Sequence, residues 1–242
     1  MSLFGSLKAN KINVYNKYNM SLLKYYNLLI FQPSQDTLEV IGEDGSITDF
    51  STNPVESGMT VTELNAYQAS LAAVTTLVVK YTDLSVLPPG SGLVNLLHLN
   101  IKNCGNITQI PQSYPSSLLS LRASNTKLSS IPSTLDRLTF LDISNCKRIS
   151  SVGIASLETL IMSHCSVTEL TQLVNLKRLV GLSTRIASIP VADNLSVVMW
   201  SGISGGTLDI DAANTSIVHV LTTGPESLVT APSGVVVTSI LL

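Results

Sequence analysis

The sequence predicts an α/β repeat: a right-handed solenoid over residues 74–242, with a parallel β-sheet on its concave face and a small hairpin-plus-helix cap before it. Three observations carry that expectation. One apolar spacing recurs at successive starts 22, 22, 20, 19, 19, 19, 22 and 18 residues apart. Ile-Pro pairs close several of the repeats, where an imide nitrogen stops a helix from forming. The chain is 45% hydrophobic but only 12% charged, which suits a large core shared by coils that cannot bury their own apolar faces.

The spacing is clearest at Leu138, Leu141, Ile143, Cys146, Ile149 and Val152, and Leu96, Leu99, Ile101, Cys104, Ile107 and Ile110 match it position for position. Leu157, Leu160, Met162, Cys165, Val167 and Leu170 follow a form one residue shorter, as do the repeats opened by Leu118 and Leu176. Weaker copies begin at Val74, Leu195, Ile217 and Val235, the last read as Val235, Thr238 and Ile240. In a strand, alternate residues share a face. The second and third apolar positions of each repeat therefore point into a common core. Self-similarity at this period implies about eight or nine stacked coils.

This pattern resembles the leucine-rich repeat family over residues 74–242. The endings Ile110-Pro111, Ile131-Pro132 and Ile189-Pro190 resemble its short bacterial-type repeats. The resemblance implies the solenoid but no particular activity.

Cys104, Cys146 and Cys165 each lie eight residues after the first leucine of their repeat, and Thr82, Thr126 and Thr184 fill the same slot in other coils. In the family this resembles, that slot usually holds asparagine, whose side chain bonds the backbone of adjacent coils in a ladder. Cysteine and threonine tolerate burial and still offer a donor. A column of six is a structural ladder, since a nucleophile needs one special site. Coils stack about 4.8 Å apart, which puts Cys104 and Cys146 roughly 10 Å apart, too far for one zinc site. Cys146 and Cys165 are in adjacent coils, whose parallel in-register side chains seldom achieve disulfide geometry. His98 and His219 share a column six coils apart, and His164 points away from Cys165. We therefore expect no catalytic residue, cofactor or metal site, and not an enzyme.

Outside the repeats, residues 1–35 form an arm carrying Lys8, Lys11, Lys17 and Lys24 and no acid, against a net charge of −2 for the chain. Residues 36–73 are expected to be the cap: a hairpin turning at Asp44-Gly45, then a helix opened by Thr60 and Glu63 with Leu64, Tyr67 and Leu71 on one face. At the other end, "VVVTSILL" leaves the last strand without an evident cap. No stretch has the length of a membrane span, and no export signal is evident, so synthesis in the cytoplasm is expected. There is no nucleic-acid motif. The sequons at Asn19, Asn106, Asn194 and Asn214 reflect the abundance of Asn, Ser and Thr.

Residues between the inward positions list the concave face. It is polar and partly basic at Lys80, His98, Asn100, Lys102, Arg122, Ser124 and Asp142, then apolar at Ile161, Val180, Leu182, Val197, Met199 and Leu221. A contiguous apolar patch marks an interface. The expected partner is a protein, contacted there, through residues 1–35, or at the C-terminal sheet edge. Two functions fit: a non-catalytic assembly module fixed in a larger particle, such as a virus or phage coat, or a soluble receptor or effector-like protein gripping one partner on its concave face.

Overall fold

The computed structural model describes residues 28–34, 37–42, 72, 74–79, 87, 90, 93–203, 206–211, 213–214, 219–223 and 225–239. An antiparallel hairpin of β1 (Leu28–Ser34) and β2 (Thr37–Gly42) opens the described chain. Parallel strands then follow, one per coil: β3 (Thr76–Val79), β4 (His98–Asn100), β5 (Ser120–Arg122), β6 (Phe140–Asp142), β8 (Thr159–Ile161), β10 (Arg178–Thr184), β12 (Val197–Gly202), β14 (His219–Thr222) and β16 (Val236–Ser239). With the hairpin they make one 11-stranded sheet in chain order, β2 pairing in parallel with β3.

Register in this sheet follows the leucine columns. Leu77, Leu99, Leu121, Leu141, Leu160, Leu179, Val198 and Val220 pair in one row across successive strands. None of the eight exceeds 1% exposure. The repeat-opening Leu96, Leu118, Leu138, Leu157, Leu176 and Leu195 are sealed as well. Each such side chain contributes roughly 1.5–3 kcal/mol by leaving water. The architecture is a parallel β-solenoid of about seven turns.

The return side pairs too. There β7 (Ser151–Val152) pairs with β9 (Glu169–Leu170), and β11 (Ser188–Ile189), β13 (Leu208–Ile210) and β15 (Val229–Thr230) form a second parallel set.

The structure corrects two expectations, the helix content and the register of the last coil. The α part of the α/β class is nearly missing: among the described residues, helix is limited to Ala72, a 3-10 position at Gly90 and a 3-10 turn at Glu226–Leu228. Proline at the repeat ends and returns this short leave no room for helical turns. β1, within the expected arm, pairs with β2 as a hairpin of its own, while Asp44-Gly45 and the cap helix fall outside the described residues. In the last coil Val220 pairs with Val237, not Thr238, which moves that repeat by one position.

Five central coils leave the sheet through a left-handed residue just before the ladder slot: Asn103 (φ 66°), Asn125 (60°), Asn145 (62°), His164 (57°) and Ser183 (52°). L residues pay to enter that region, and asparagine pays least after glycine. The asparagines also bond one another along the solenoid, Asn125 Nδ2 to Asn103 Oδ1 and Asn145 Nδ2 to Asn125 Oδ1, both at 2.7 Å. Asn145→Ala is therefore expected to lose about 1–2 kcal/mol, and Asn145→Gly less, because glycine keeps the backbone and forfeits only the ladder bond. Urea midpoints of the two variants check this; equal losses would show that the backbone conformation carries no cost.

Candidate functional site

Alternation along each strand places one row of outward residues between the buried ones. Pairing aligns that row as Val78, Asn100, Arg122, Asp142, Ile161, Val180, Met199, Leu221 and Thr238. Ile161, Val180, Met199 and Leu221 are thus side by side on β8, β10, β12 and β14, all half-buried. Leu182 and Val197 stand on the same face, beside Val180 and Met199, and Val197 is exposed. All six apolar candidates are brought together.

The basic candidates divide. Lys102 and Arg122 are exposed towards the first coils, and Lys80 lies outside the described residues. The Arg122 guanidinium sits 5.1 Å over the Phe140 ring, which steers the charge across the sheet face. Asp142 Oδ1 accepts from the Ser144 backbone N–H at 3.0 Å. Ser124, expected on this face, is buried with its hydroxyl unpartnered.

The thiol column is a ladder between coils. Cys104 Sγ donates to the Val79 carbonyl at 3.4 Å, Cys146 to Ala123 at 3.2 Å and Cys165 to Ile143 at 2.8 Å. Each acceptor is the last inward residue of an earlier coil. Thr126 donates within its own coil to Ala123 at 2.8 Å and also meets Cys146 Sγ of the next coil at 3.3 Å, while Thr184 donates to Gly181 at 3.1 Å. Thr82 lies outside the described residues. All three cysteines are buried. Burial pushes the Cys146 thiol up, and pushes Cys165 up to about 12. A thiolate nucleophile needs the opposite shift.

His98 and His219 occupy one row, joined through Ser120, Phe140, Thr159, Arg178 and Val197. Six strand spacings of about 4.8 Å keep them roughly 29 Å apart. Among the described residues, no three His, Cys, Asp or Glu side chains gather as a metal site. No helix among them is long and apolar enough to cross a membrane.

Sequence reasoning missed the asparagine turn. Its signal was present as the recurring pairs Asn103-Cys104, Asn125-Thr126 and Asn145-Cys146. The sequence marks Asn214 only as part of a sequon. It is buried, accepting from the Ala192 N–H at 2.8 Å and donating to the Pro190 carbonyl at 3.2 Å, so it is a strut between coils. The fold and this face define a β-solenoid with one sheet side half apolar. Comparison with models of known families and with curated proteins finds no match.

Proposed function

We propose that this chain is a leucine-rich repeat module that recognises a protein partner through the outer face of its 11-stranded sheet, acting as an assembly element rather than a catalyst. The observation that carries the reading is the row of Ile161, Val180, Met199 and Leu221 on four adjacent strands. A monomeric soluble surface rarely leaves such a row without a use. A rigid stacked core beneath it limits the ordering cost of binding. The low charge of the chain and its lysine-bearing arm favour a subunit held in a larger particle, with a viral or phage coat as the concrete form.

The test is the double variant Leu182→Asp, Met199→Asp, compared with wild type for incorporation into the native assembly by native mass measurement. Both side chains point off the sheet, so the fold is expected to persist while incorporation drops at least tenfold. Normal incorporation of a folded variant would remove this face as the interface. A variant that is captured by one partner but never enters an assembly would favour the free receptor.

A further inference from the structure

The size, spacing and charge of the apolar row say what would occupy it. Four strands at about 4.8 Å, with two or three outward positions each at about 6.7 Å spacing, give a footprint of roughly 300 Å². A stable interface between two globular surfaces needs about 800 Å² from each partner. A second copy of this chain is therefore a poor occupant, and a single segment a good one.

Spacing selects the segment's conformation. The side chains of the row repeat at about 4.8 Å along the solenoid axis. One face of an extended peptide repeats at about 6.7 Å, so over three intervals it slips by nearly 6 Å. The apolar stripe of a helix, alternating i+3 and i+4, advances about 5.2 Å per contact and slips by little more than 1 Å.

Charge selects its flanks. Around the apolar row the described sheet face carries Lys102, Arg122 and Arg178 and the carboxylate of Asp142, with Glu39 at the far end of the same row on β2, on a chain whose net charge is −2. Arg178 is exposed two residues before Val180, on the side of the row that also holds His219. Arg122, held over Phe140, marks the polar end of the same row.

We infer that the sheet face binds an amphipathic helix of a partner protein, lying along the solenoid axis with its apolar stripe on Ile161, Val180, Met199 and Leu221 and acidic residues beside Arg122 and Arg178. This rests on the protein-recognition reading above and specifies its partner.

The test uses the full chain and three synthetic helices of one length with leucine at the stripe positions, their flanks carrying glutamate, lysine or serine. Fluorescence anisotropy reads the affinities at low and high salt. The glutamate helix is expected to bind at least tenfold more tightly than the lysine helix, with the gap shrinking as salt rises. Arg122→Glu, Arg178→Glu is expected to reverse the order, and both sites are exposed, so folding is not at stake. Met199→Asp is expected to weaken all three helices. If the serine helix equals the glutamate helix and Met199→Asp still weakens both, the acidic specificity is wrong while the face remains an interface. If no helix binds, the helix proposal fails whatever the assembly assay shows. If the chain itself dimerises and Met199→Asp abolishes the dimer, the occupant is a second copy and the proposal is overturned.

Discussion

Trp200→Ala will cost this solenoid about 3–5 kcal/mol, and Trp200→Phe far less. Trp200 is 1% exposed, in the column held elsewhere by Val79, Ile101, Ala123, Ile143 and Met162. Its neighbour in the preceding coil is Gly181, paired with it in register, and a Cβ on Gly181 would stand 3.3 Å from Met162 Cε. At the end of the strand, a Cβ on Gly202 would stand 3.0 Å from Cζ2 and Cη2 of the indole and 2.7 Å from the Gly206 carbonyl oxygen. The ring thus lies against the bare backbone of Gly202, and alanine would open a cavity that rigid strands cannot close. Phenylalanine keeps most of the volume. It also removes the indole N–H, which is buried without a partner and whose desolvation costs about 1–3 kcal/mol. Urea unfolding of both variants checks the pair. Equal losses would mean that the N–H has a partner in solution or that the site collapses around alanine.

Because each coil touches only its neighbours, such a loss stays local until an interface fails. Damage at Trp200 should therefore first release the coils of β12, β14 and β16. Hydrogen exchange at Leu121 and Leu141, several coils away, should remain slow in Trp200→Ala under native conditions.

The columns were legible because burial repeats. Leu99, Leu121, Leu141, Leu160 and Leu179 form one paired row, and a period that survives five copies leaves little choice of register. The last coil was not legible. Between Val220 and Val237 the return contains Pro225, the 3-10 turn Glu226–Leu228 and the short strand Val229–Thr230. The run of valines at 235–237 offers no alternation to choose among. Leu28–Phe31 misled for the same reason: four apolar residues in a row have no period, so a strand there could not be told from an apolar stretch of arm.

The candidate face was legible as a set of residues, because outward positions follow from inward ones once the columns are known. Its continuity rested on register, which only the pairing of Ile161 with Val180, Met199 and Leu221 supplies. The asparagine corner was missed because apolar periodicity carries no information about φ. Only backbone geometry explains why Asn103, Asn125 and Asn145 precede the ladder slot.

Stability should hold to about pH 8 and then fall as the pH rises from 9 towards 12, with Cys165 as a main cause. Its thiol, ordinarily titrating near 9.0, is pushed up to about 12 in the folded chain, first by burial. The backbone N–H groups of Cys146 and Asn145 and the charge of Lys147 pull the other way. The bond from its S–H to the Ile143 carbonyl also requires the proton. Below pH 9 both folded and unfolded chains hold that proton, so its full contribution is present. Above 9 the unfolded chain releases it and the folded chain does not, so unfolding gains free energy until the folded thiol ionises near 12. Three pH units at about 1.4 kcal/mol each bound the loss at roughly 4 kcal/mol. Cys146 is raised too, and Tyr114, with its hydroxyl buried and unpartnered, is shifted in the same direction, so both steepen the fall. Cys165→Val isolates the one thiol, since it removes that proton while leaving the other groups in place. The difference in urea midpoint between wild type and Cys165→Val should be constant up to pH 8 and then shift in favour of the variant as the pH climbs. A difference that stays flat to pH 11 would show that the Cys165 slot is open to water, and the buried ladder would lose its last rung.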